Sequence, residues 1–351
     1  MKIIILITSI LLLTGCYDNI ELNQMYIITG IGIDYNNKEY HVSYEILNSN
    51  KEGSSINMDN DIISGNGKSI NEAFLNVNRS LSKKPIFSHL KVVILKNNIE
   101  GKLLKEVFEY LLRNSDIRDE FNLVYTSSNI EDLFSIETPN KVVSLEIFEL
   151  LKNGNNNINP VINEPFEDIL AKVISNKQDI ILNNIIVSDN SIKVDGAYIF
   201  NKYNIKKLIS NKDVYIYLLL NNLARNSSYN IKYKKGFLGI SITDSNIKYK
   251  INNNKLIITG KINALLTNNT SDLDLTKSSS LKIINKKFNS IIRKDIQDFI
   301  KNLVYLDSDI LGITKKYYKK TKIEDNLLWK YLDIVINIDI TVNRKGLIFE
   351  V

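Results

Sequence analysis

The single cysteine of this 351-residue chain lies at position 16, directly after Leu13-Thr14-Gly15. Lys2 and an apolar run over residues 3–13 precede it, which is the pattern of a secretory signal. The run has about 11 residues, roughly half of what a helix needs to cross a hydrocarbon core. The pattern therefore predicts an export signal at residues 1–15 that is removed from the mature protein.

The sequence Leu13-Thr14-Gly15-Cys16 resembles the lipobox of bacterial lipoproteins, in which the cysteine thiol receives a diacylglycerol. Two acyl chains on Cys16 would hold the protein stably at a membrane, since each buried methylene contributes about 0.8 kcal/mol. No later apolar stretch approaches the roughly 20 residues of a membrane span. We therefore expect a mature chain that starts at Cys16 and lies against a membrane without crossing it. The alternative is that Cys16 is a free or buried thiol.

Two glycine-containing segments resemble nucleotide-binding motifs but do not match them. Gly65-Asn66-Gly67-Lys68-Ser69 ends like a P-loop, but position 62 is Ile where the first glycine belongs. The better interpretation is a loop that leads into a helix capped by Ser69. Gly30-Ile31-Gly32-Ile33-Asp34 lacks the third glycine of a dinucleotide fingerprint and is predicted to be a strand.

The polar residues predict neither catalysis nor metal binding. His41 and His89 have no nucleophile in a recognisable setting, so we expect structural or surface roles for them. Asp59-Asn60-Asp61 lacks the ligand spacing of a calcium loop. One cysteine and two histidines exclude an internal disulfide and disfavour structural zinc. We expect no cofactor and no enzymatic activity.

The charge balance is weakly basic, with 45 Lys and Arg against 39 Asp and Glu, a formal net charge of +6. This surplus permits attraction to anionic lipid but does not indicate a nucleic-acid partner. The composition, 44% hydrophobic and 24% charged, is that of a globular protein with enough length for about two domains.

The first half of the chain alternates strands and helices. A hairpin is predicted from residues 26–34 and 40–46, followed by a polar surface loop over 48–67. Helical spacing of apolar residues predicts helices after Ser69 and over 100–113, the second with Leu112 inward. Further predicted elements are strands at 86–95 and 121–125 and helices near 129–136, 143–152 and 165–175.

The second half favours antiparallel sheet and one long helix. Strands are predicted at 180–187, 192–200, 229–242, 244–251 and 255–266, with a helix near 211–221. A helical pattern runs from about Lys277 to Leu306 and has a basic exposed face, which would contact solvent or, alternatively, anionic headgroups or an acidic partner. Trp329 is predicted to be a core or edge aromatic before a final alternating strand over 334–342.

These elements predict an α+β (mixed α/β) lipoprotein of several domains. After the signal, the predicted regions are a mixed region at 16–190 and a C-terminal region at 191–351. The Asn- and Pro-rich stretch 153–165 would be either a linker that splits the first region or a long loop.

Four stretches together resemble the Ger(x)C family, the lipoprotein C subunits of bacterial spore germination receptors. They are Cys16-Tyr-Asp-Asn-Ile-Glu-Leu-Asn23 with Ile28–Asp34, Phe87–Ile94 with Arg118-Asp-Glu120, Gly196–Lys202, and the long helix with Leu311-Gly312 and Arg344-Lys-Gly346. The likeness runs in order along nearly the whole chain. Tyr17 replaces the family's usual Trp, and Ile313-Thr-Lys-Lys316 stands where another glycine-containing turn is expected.

The resemblance implies a non-enzymatic subunit held by lipid on the outer face of the inner spore membrane. It would act with a multi-span A subunit and a transporter-like B subunit in the response to nutrient germinants. Cys16 is the only position whose chemistry carries over from the family. The alternatives are a solute-binding lipoprotein of a transporter, which the predicted meander and long helix disfavour, and a surface lipoprotein that binds wall polymer.

Overall fold

The computed structural model describes residues 24–52, 55–154, 160–252, 255–322 and 328–343. The predicted export signal, Cys16, Tyr17 and Arg344–Gly346 lie outside these ranges. The side chain of Trp329 also lies outside the described part, so its predicted role stays a prediction.

The described residues form a mixed α+β structure, which confirms the predicted fold class. The strands are β1 (Met25–Asn36), β2 (Glu39–Glu52), β3 (Ser55–Gly67), β4 (Lys84–Ile86), β5 (Val92–Lys96), β6 (Asn122–Thr126), β7 (Ile181–Ser188), β8 (Ser191–Asn201), β9 (Asn204–Ile209), β10 (Ser228–Tyr233), β11 (Gly236–Asn252), β12 (Lys255–Asn269) and β13 (Asp333–Asn343). The helices are α1 (Ile70–Arg79), α2 (Lys102–Arg113), α3 (Ile130–Phe134), α4 (Val143–Asn153), α5 (Phe166–Ser175), α6 (Asn211–Leu220), α7 (Ser278–Leu306) and α8 (Ile313–Thr321), with a 3-10 helix at Leu328–Tyr331.

The first nine strands form one sheet in the order β3-β2-β1-β5-β6-β7-β8-β9, with β4 paired to β1. Its centre, β1-β5-β6-β7, is parallel, and both flanks are antiparallel. Central parallel strands are covered on both faces, which suits the continuous apolar sequence of β5, Val92-Val-Ile-Leu-Lys96.

Helices cover both faces of this sheet. On one face α1, α2 and α5 contribute Phe74, Phe108 and Phe166 to a single apolar core. The Phe108 and Phe166 rings lie edge to face with centroids 5.2 Å apart. On the other face α3 and α4 contribute Leu133 and Ile147 to a separate core. The elements of the first half are therefore positioned by burial on two sides of one sheet.

The remaining strands form a four-stranded sheet in the order β10-β11-β12-β13. Pairing is antiparallel from β10 to β12, as predicted, but β12 and β13 are parallel. Helix α7 packs on one face through Ile284, Phe288, Ile292 and Ile296. Alternate residues of β13 face the same core. Both the long helix and the final alternating strand are thus confirmed.

Asparagine side chains of α7 cover the outer edge of β13. Asn285 Oδ1 accepts from Val342 N at 2.8 Å, and its Nδ2 donates to Val342 O at 3.2 Å. One turn later Asn289 makes the same pair of bonds with Ile340, at 3.0 and 2.7 Å. Four helix residues rise about 6.0 Å and two strand residues about 6.6 Å. The two spacings match, so the side-chain amides take the place of a neighbouring strand.

Arg293 continues this amide ladder one turn further along α7. Its Nε donates to Ile338 O at 2.6 Å, and its guanidinium pairs with Asp339 at 2.5 Å. An open strand edge can pair with another chain, and charged or polar cover reduces that risk. The ladder therefore protects the edge of the C-terminal sheet as well as fixing α7 against it.

Several predicted boundaries were wrong. Residues 48–67 are not a surface loop, because β2 and β3 form a long hairpin there, paired from Tyr40 with Gly67 onward. The predicted strand 86–95 is two strands, β4 and β5, separated by a turn in which Leu90 N donates to Phe87 O. Leu112 is 55% exposed rather than inward. A turn at Lys234, with φ of 51°, divides the predicted strand 229–242.

The predicted division at residue 190 falls in the tight turn between β7 and β8, which are hydrogen-bonded neighbours in the nine-stranded sheet. Strand β9, which was not predicted, extends this sheet further. Side chains of β8 and β9, including Ala197, Ile199 and Ile209, belong nonetheless to the core that α7 covers. The two sheets therefore share apolar contacts, and the division into 16–190 and 191–351 stays a prediction.

Candidate functional site

The predicted lipid-attachment residue, Cys16, lies outside the described residues, and the structure begins eight residues later at Gln24. From there the chain enters β1, whose first residue, Met25, pairs with Lys84 of β4. Tyr26 is held against this strand by a 3.0 Å hydrogen bond between its hydroxyl and Ser82 Oγ. The Lys83 ammonium lies 5.3 Å from the centre of the Tyr26 ring. The segment that leads back to Cys16 thus leaves at the amino end of β1.

The Gly-x-Gly segment of β1 has a packing role. A Cβ at Gly32 would lie 2.3 Å from Cγ2 of Ile130 in α3, and one at Gly30 would lie 2.8 Å from Cβ of Ser144 in α4. Both contacts are shorter than non-bonded carbon atoms allow, so only glycine permits the two helices to approach this strand. The prediction that the segment is a strand is confirmed.

Gly30 also makes room for a buried carboxylate, Glu45, its partner across the β1–β2 pair. Glu45 Oε1 accepts from Val143 N at 2.6 Å, and Oε2 accepts from Ser144 N at 2.8 Å. Asn60 Nδ2 donates to the same carboxylate at 2.7 Å. Glu45 therefore caps the amino end of α4, whose own flanking residues provide no side-chain cap.

Burial and hydrogen bonding act on Glu45 in opposite directions. Glu45 is 0% exposed, and burial raises the pKa of its carboxyl group. The hydrogen bonds from Asn60 and the α4 backbone stabilise the ionised form and oppose that rise. This role of Glu45 was not predicted from the sequence. The signal was present, since the helix predicted from 143 follows Val142 and has no capping residue of its own.

A second buried carboxylate centre joins the two sheets. Asp179, just before β7, accepts at Oδ2 from Asp309 N at 2.7 Å and at Oδ1 from Lys202 N at 2.8 Å. Asp309, just after α7, accepts from Ile313 N at 2.8 Å and from Thr314 N at 2.7 Å. Asp309 thereby caps α8, and Asp179 links α7 and α8 to the nine-stranded sheet.

The pKa values at this junction follow from burial. Asp309 is 6% exposed, and burial raises its pKa to about 6, opposed by the hydrogen bonds from α8 and assisted by the nearby charge of Asp179. Burial also raises the pKa of Asp179. Lys316 lies next to this pair, with its ammonium 4.5 Å from the centre of the Tyr249 ring, and burial lowers its pKa. The junction therefore holds one buried carboxylate, Asp309, beside two half-buried ionisable groups, Asp179 and Lys316.

The remaining residues of interest have local roles. Ser69 Oγ accepts from Glu72 N at 3.2 Å, which confirms the predicted cap. Glu72 in turn accepts at 2.8 Å from the N–H of Lys68, the residue before the cap. His89 is exposed, and His41 lies half-buried in β2 opposite Asp34. In the described ranges no group of three or more His, Cys, Asp or Glu side chains could hold a metal ion. None of their helices is long and apolar enough to span a membrane.

Two family profiles match the chain in the order of its two predicted regions. Residues 18–187 match the spore germination protein N-terminal domain. Residues 195–346 match the C-terminal domain described as spore germination B3/GerAC like. The chain belongs to the Ger(x)C family. Membership confirms the resemblance found in the sequence and relates the chain to the C subunits of germinant receptors.

Curated Ger(x)C relatives align over nearly the full length. Spore germination protein YfkR of Bacillus subtilis (strain 168) is 24% identical over 97% of this chain and 95% of its own length. Spore germination protein KC of the same organism is 22% identical over 98% of this chain and 95% of its own length. The crystal structure of the GerBC protein matches with a TM-score of 0.56 and 16% identity, covering 89% of this chain and 96% of that one. The fold described above is therefore the Ger(x)C fold.

Proposed function

We propose that this chain is the lipid-anchored C subunit of a spore germination receptor. In this role it has no catalytic activity and acts with A and B membrane subunits in the response to nutrient germinants. The family membership of both regions supports this proposal. The sequence Leu13-Thr14-Gly15-Cys16 after an export signal supports attachment through the Cys16 thiol.

In physical terms the anchor acts by confinement. Two acyl chains on Cys16 keep the protein at the outer face of the inner spore membrane, because a doubly acylated protein leaves a bilayer only rarely. Tethering raises the effective concentration of the chain near membrane-embedded partners. Weak contacts with A and B subunits would then suffice for a stable assembly.

The direct test replaces Cys16 by Ala in the sporulating organism. We expect the variant to leave the spore membrane fraction and nutrient germination to fall, with sporulation unchanged. The matched control is Gly15→Ala, which keeps a small residue before the cysteine and should behave as wild type. Mass spectrometry of the amino-terminal peptide should show a diacylglyceryl group on Cys16 in wild type and in the control.

Two results would refute the proposal. One is membrane retention and normal nutrient germination in the Cys16→Ala strain. The other is the presence of neighbouring genes for an ATP-binding cassette importer, which would favour a solute-binding lipoprotein. Two neighbouring genes for polytopic membrane proteins would instead support a receptor.

A further inference from the structure

Three apolar or aromatic side chains are strongly exposed around the junction of the two sheets. Tyr305 in the last turn of α7 is 88% exposed, Tyr331 in the 3-10 helix 75%, and Ile174 in the last turn of α5 71%. These are the highest values among the large hydrophobic side chains of the described residues. An ion pair of 2.5 Å between Lys330 and Asp307 holds the 3-10 helix against the end of α7. Exposed apolar side chains that cluster mark interaction sites.

The same region is strongly basic. From residue 310 to 331 the sequence has six lysines and two acidic residues, Glu324 and Asp325. Lys316 and Lys320 donate to the backbone carbonyls of Leu311 and Ile251, so their positions are fixed by the fold. The other lysines of α8 and its cap are exposed or half-exposed: Lys315, Lys319 and Lys322.

Helix α8 lies at the edge of the sheet from which the chain leads back to Cys16. The Lys177 ammonium is 4.2 Å from the centre of the Tyr318 ring, which places α8 beside the segment that enters β7. Because β1, β5, β6 and β7 are parallel, their amino ends share one edge of the sheet. Three strand spacings, about 14 Å, separate β1 from β7. The amino end of β1 and the basic helix thus lie at the same edge of the sheet.

The length of the connecting segment limits how far this edge can lie from a membrane. Gln24 follows Cys16 by eight positions in the sequence. A fully extended chain of that length spans at most about 28 Å. With Cys16 in the bilayer surface, the amino edge of the sheet must stay within that distance of the lipid headgroups.

We propose that Ile174, Tyr305, Lys315, Lys319, Lys322 and Tyr331 form a docking face for the headgroup region of an anionic phospholipid bilayer. This inference rests on the proposed lipid anchor, which would bring the face to the membrane. The lysines supply attraction to acidic headgroups, and the exposed Tyr and Ile side chains suit the interface between headgroups and acyl chains. The docked face fixes the orientation of the protein, whereas the anchor alone fixes only its distance.

The test uses the mature chain, residues 16–351, with Cys16→Ser, so that neither signal nor lipid contributes to binding. Partition is measured by co-sedimentation with vesicles of pure phosphatidylcholine and with vesicles of equal parts phosphatidylcholine and phosphatidylglycerol. We expect binding to the anionic vesicles that weakens as salt is raised. Equal binding to both kinds of vesicle, or binding to neither, would overturn the proposal.

The lysines are tested by the triple variant Lys315→Gln, Lys319→Gln and Lys322→Gln. Each lysine near an anionic surface contributes about 1 kcal/mol, or about fivefold in affinity, so we expect binding on the order of 100-fold weaker. The matched control removes three exposed lysines from the first turns of α7, Lys282→Gln, Lys286→Gln and Lys287→Gln. These lie about 30 Å along the helix axis from Tyr305, and their loss should change binding by less than about threefold.

The fluorescence of Trp329 provides an additional readout, since it is the single tryptophan of the chain and stands two residues before Tyr331 in the sequence of the 3-10 helix. Phospholipids with brominated acyl chains should quench it in anionic vesicles and not in neutral ones. Circular dichroism melts verify that each variant is folded. An equal loss of binding in the control triple would contradict the docking face.

This test and the test of the lipid anchor can fail separately, because the vesicle experiment uses a chain without the Cys16 thiol. Loss of germination in the lysine triple, with vesicle binding unchanged, would assign the face to an acidic protein partner and overturn the lipid proposal.

Discussion

Asp179 and Asp309 bind each other's backbone in a reciprocal pair. The Asp309 N–H donates to the Asp179 carboxylate at 2.7 Å, and the Asp179 N–H donates to the Asp309 carbonyl at 3.1 Å. One residue precedes the last central strand of the large sheet, and the other follows the longest helix. The pair connects the start of β7 to the segment that follows α7 through one carboxylate and one backbone carbonyl. Three consequences of polar contacts of this kind can be measured.

The stability of the protein should depend on the protonation of Asp309. Its folded pKa of about 6 is above the ordinary value of 3.8, so the folded state binds the proton more tightly. The stabilisation is complete below the ordinary value and is lost as pH rises through about 6. We expect the free energy of unfolding, measured in urea, to fall by up to about 1.4 kcal/mol per pH unit in that window from this group.

Asp309→Asn should remove the contribution of this residue to the pH dependence. The free energy of unfolding should then change less steeply with pH. Asp179 and Glu45, whose pKa values burial also raises, keep their own share of the slope. Asp298→Asn, at an exposed carboxylate on α7, is the matched control and should leave the profile parallel to wild type. An unchanged slope in Asp309→Asn would show that Asp309 does not titrate in this range.

Removal of one rung of the amide ladder should weaken the C-terminal sheet. Asn289→Ala deletes two hydrogen bonds to the edge of β13, and we expect a loss of about 1–2 kcal/mol in the free energy of unfolding. Asn289→Asp should be no better, because a carboxylate can still accept from Ile340 N but repels Ile340 O. Denaturant unfolding measures both losses.

In the Asn289→Ala variant, the uncovered edge of β13 should also promote association between protein molecules. Light scattering at raised protein concentration would detect it. Gln297→Ala is the control, one turn beyond Arg293 on the same helix face, where the described residues provide no hydrogen-bond partner for the amide. Its stability should match wild type. A loss in Gln297→Ala as large as that in Asn289→Ala would mean that helix composition, and not the ladder, causes the effect.

Glu45→Ala should be among the most destabilising single substitutions in the first sheet. It removes the acceptor of two buried N–H groups at the start of α4 and leaves them without a partner. Such a loss costs about 3 kcal/mol. Glu45→Gln keeps the shape and one acceptor and should lose less. Thermal unfolding measures both, and Glu167→Ala, at an exposed carboxylate in α5, should change little.

Much of the fold was predictable because the apolar residues follow the periodicities of helices and strands. The alternation over residues 334–342 and the helical pattern of residues 277–306 each matched an element closely. The β2–β3 hairpin was missed because β3 is rich in Asn, Asp and Ser, the residues of a typical loop. Its pairing is made by backbone hydrogen bonds and by polar contacts such as Asn48 Nδ2 to Asp61 Oδ2 at 2.6 Å, which leave no apolar signal.

The polar centres were less predictable than the fold. Glu45 reaches α4 across 98 residues of sequence, and Asp179 reaches Asp309 across 130. A pattern within a short stretch of sequence cannot indicate which of two residues so far apart along the chain will be partners. No role was predicted from the sequence for Asn285 and Asn289 of α7, yet both bind a strand that follows about 50 residues later. The available signal was the spacing of four residues between Asn285, Asn289 and Arg293. That spacing indicates contacts with a strand only once β13 is known to lie alongside α7.

The parallel pairing of β13 with β12 sets an order on how this protein can fold. Residues 270–332, which include α7 and α8, separate the two strands. Until residues 333–343 pair with β12, that strand has an open edge and Asn285, Asn289 and Arg293 lack their strand. Contacts so far apart in sequence form slowly. The incomplete C-terminal sheet would therefore be open to proteases and to pairing with other chains for longer than the hairpins that precede it.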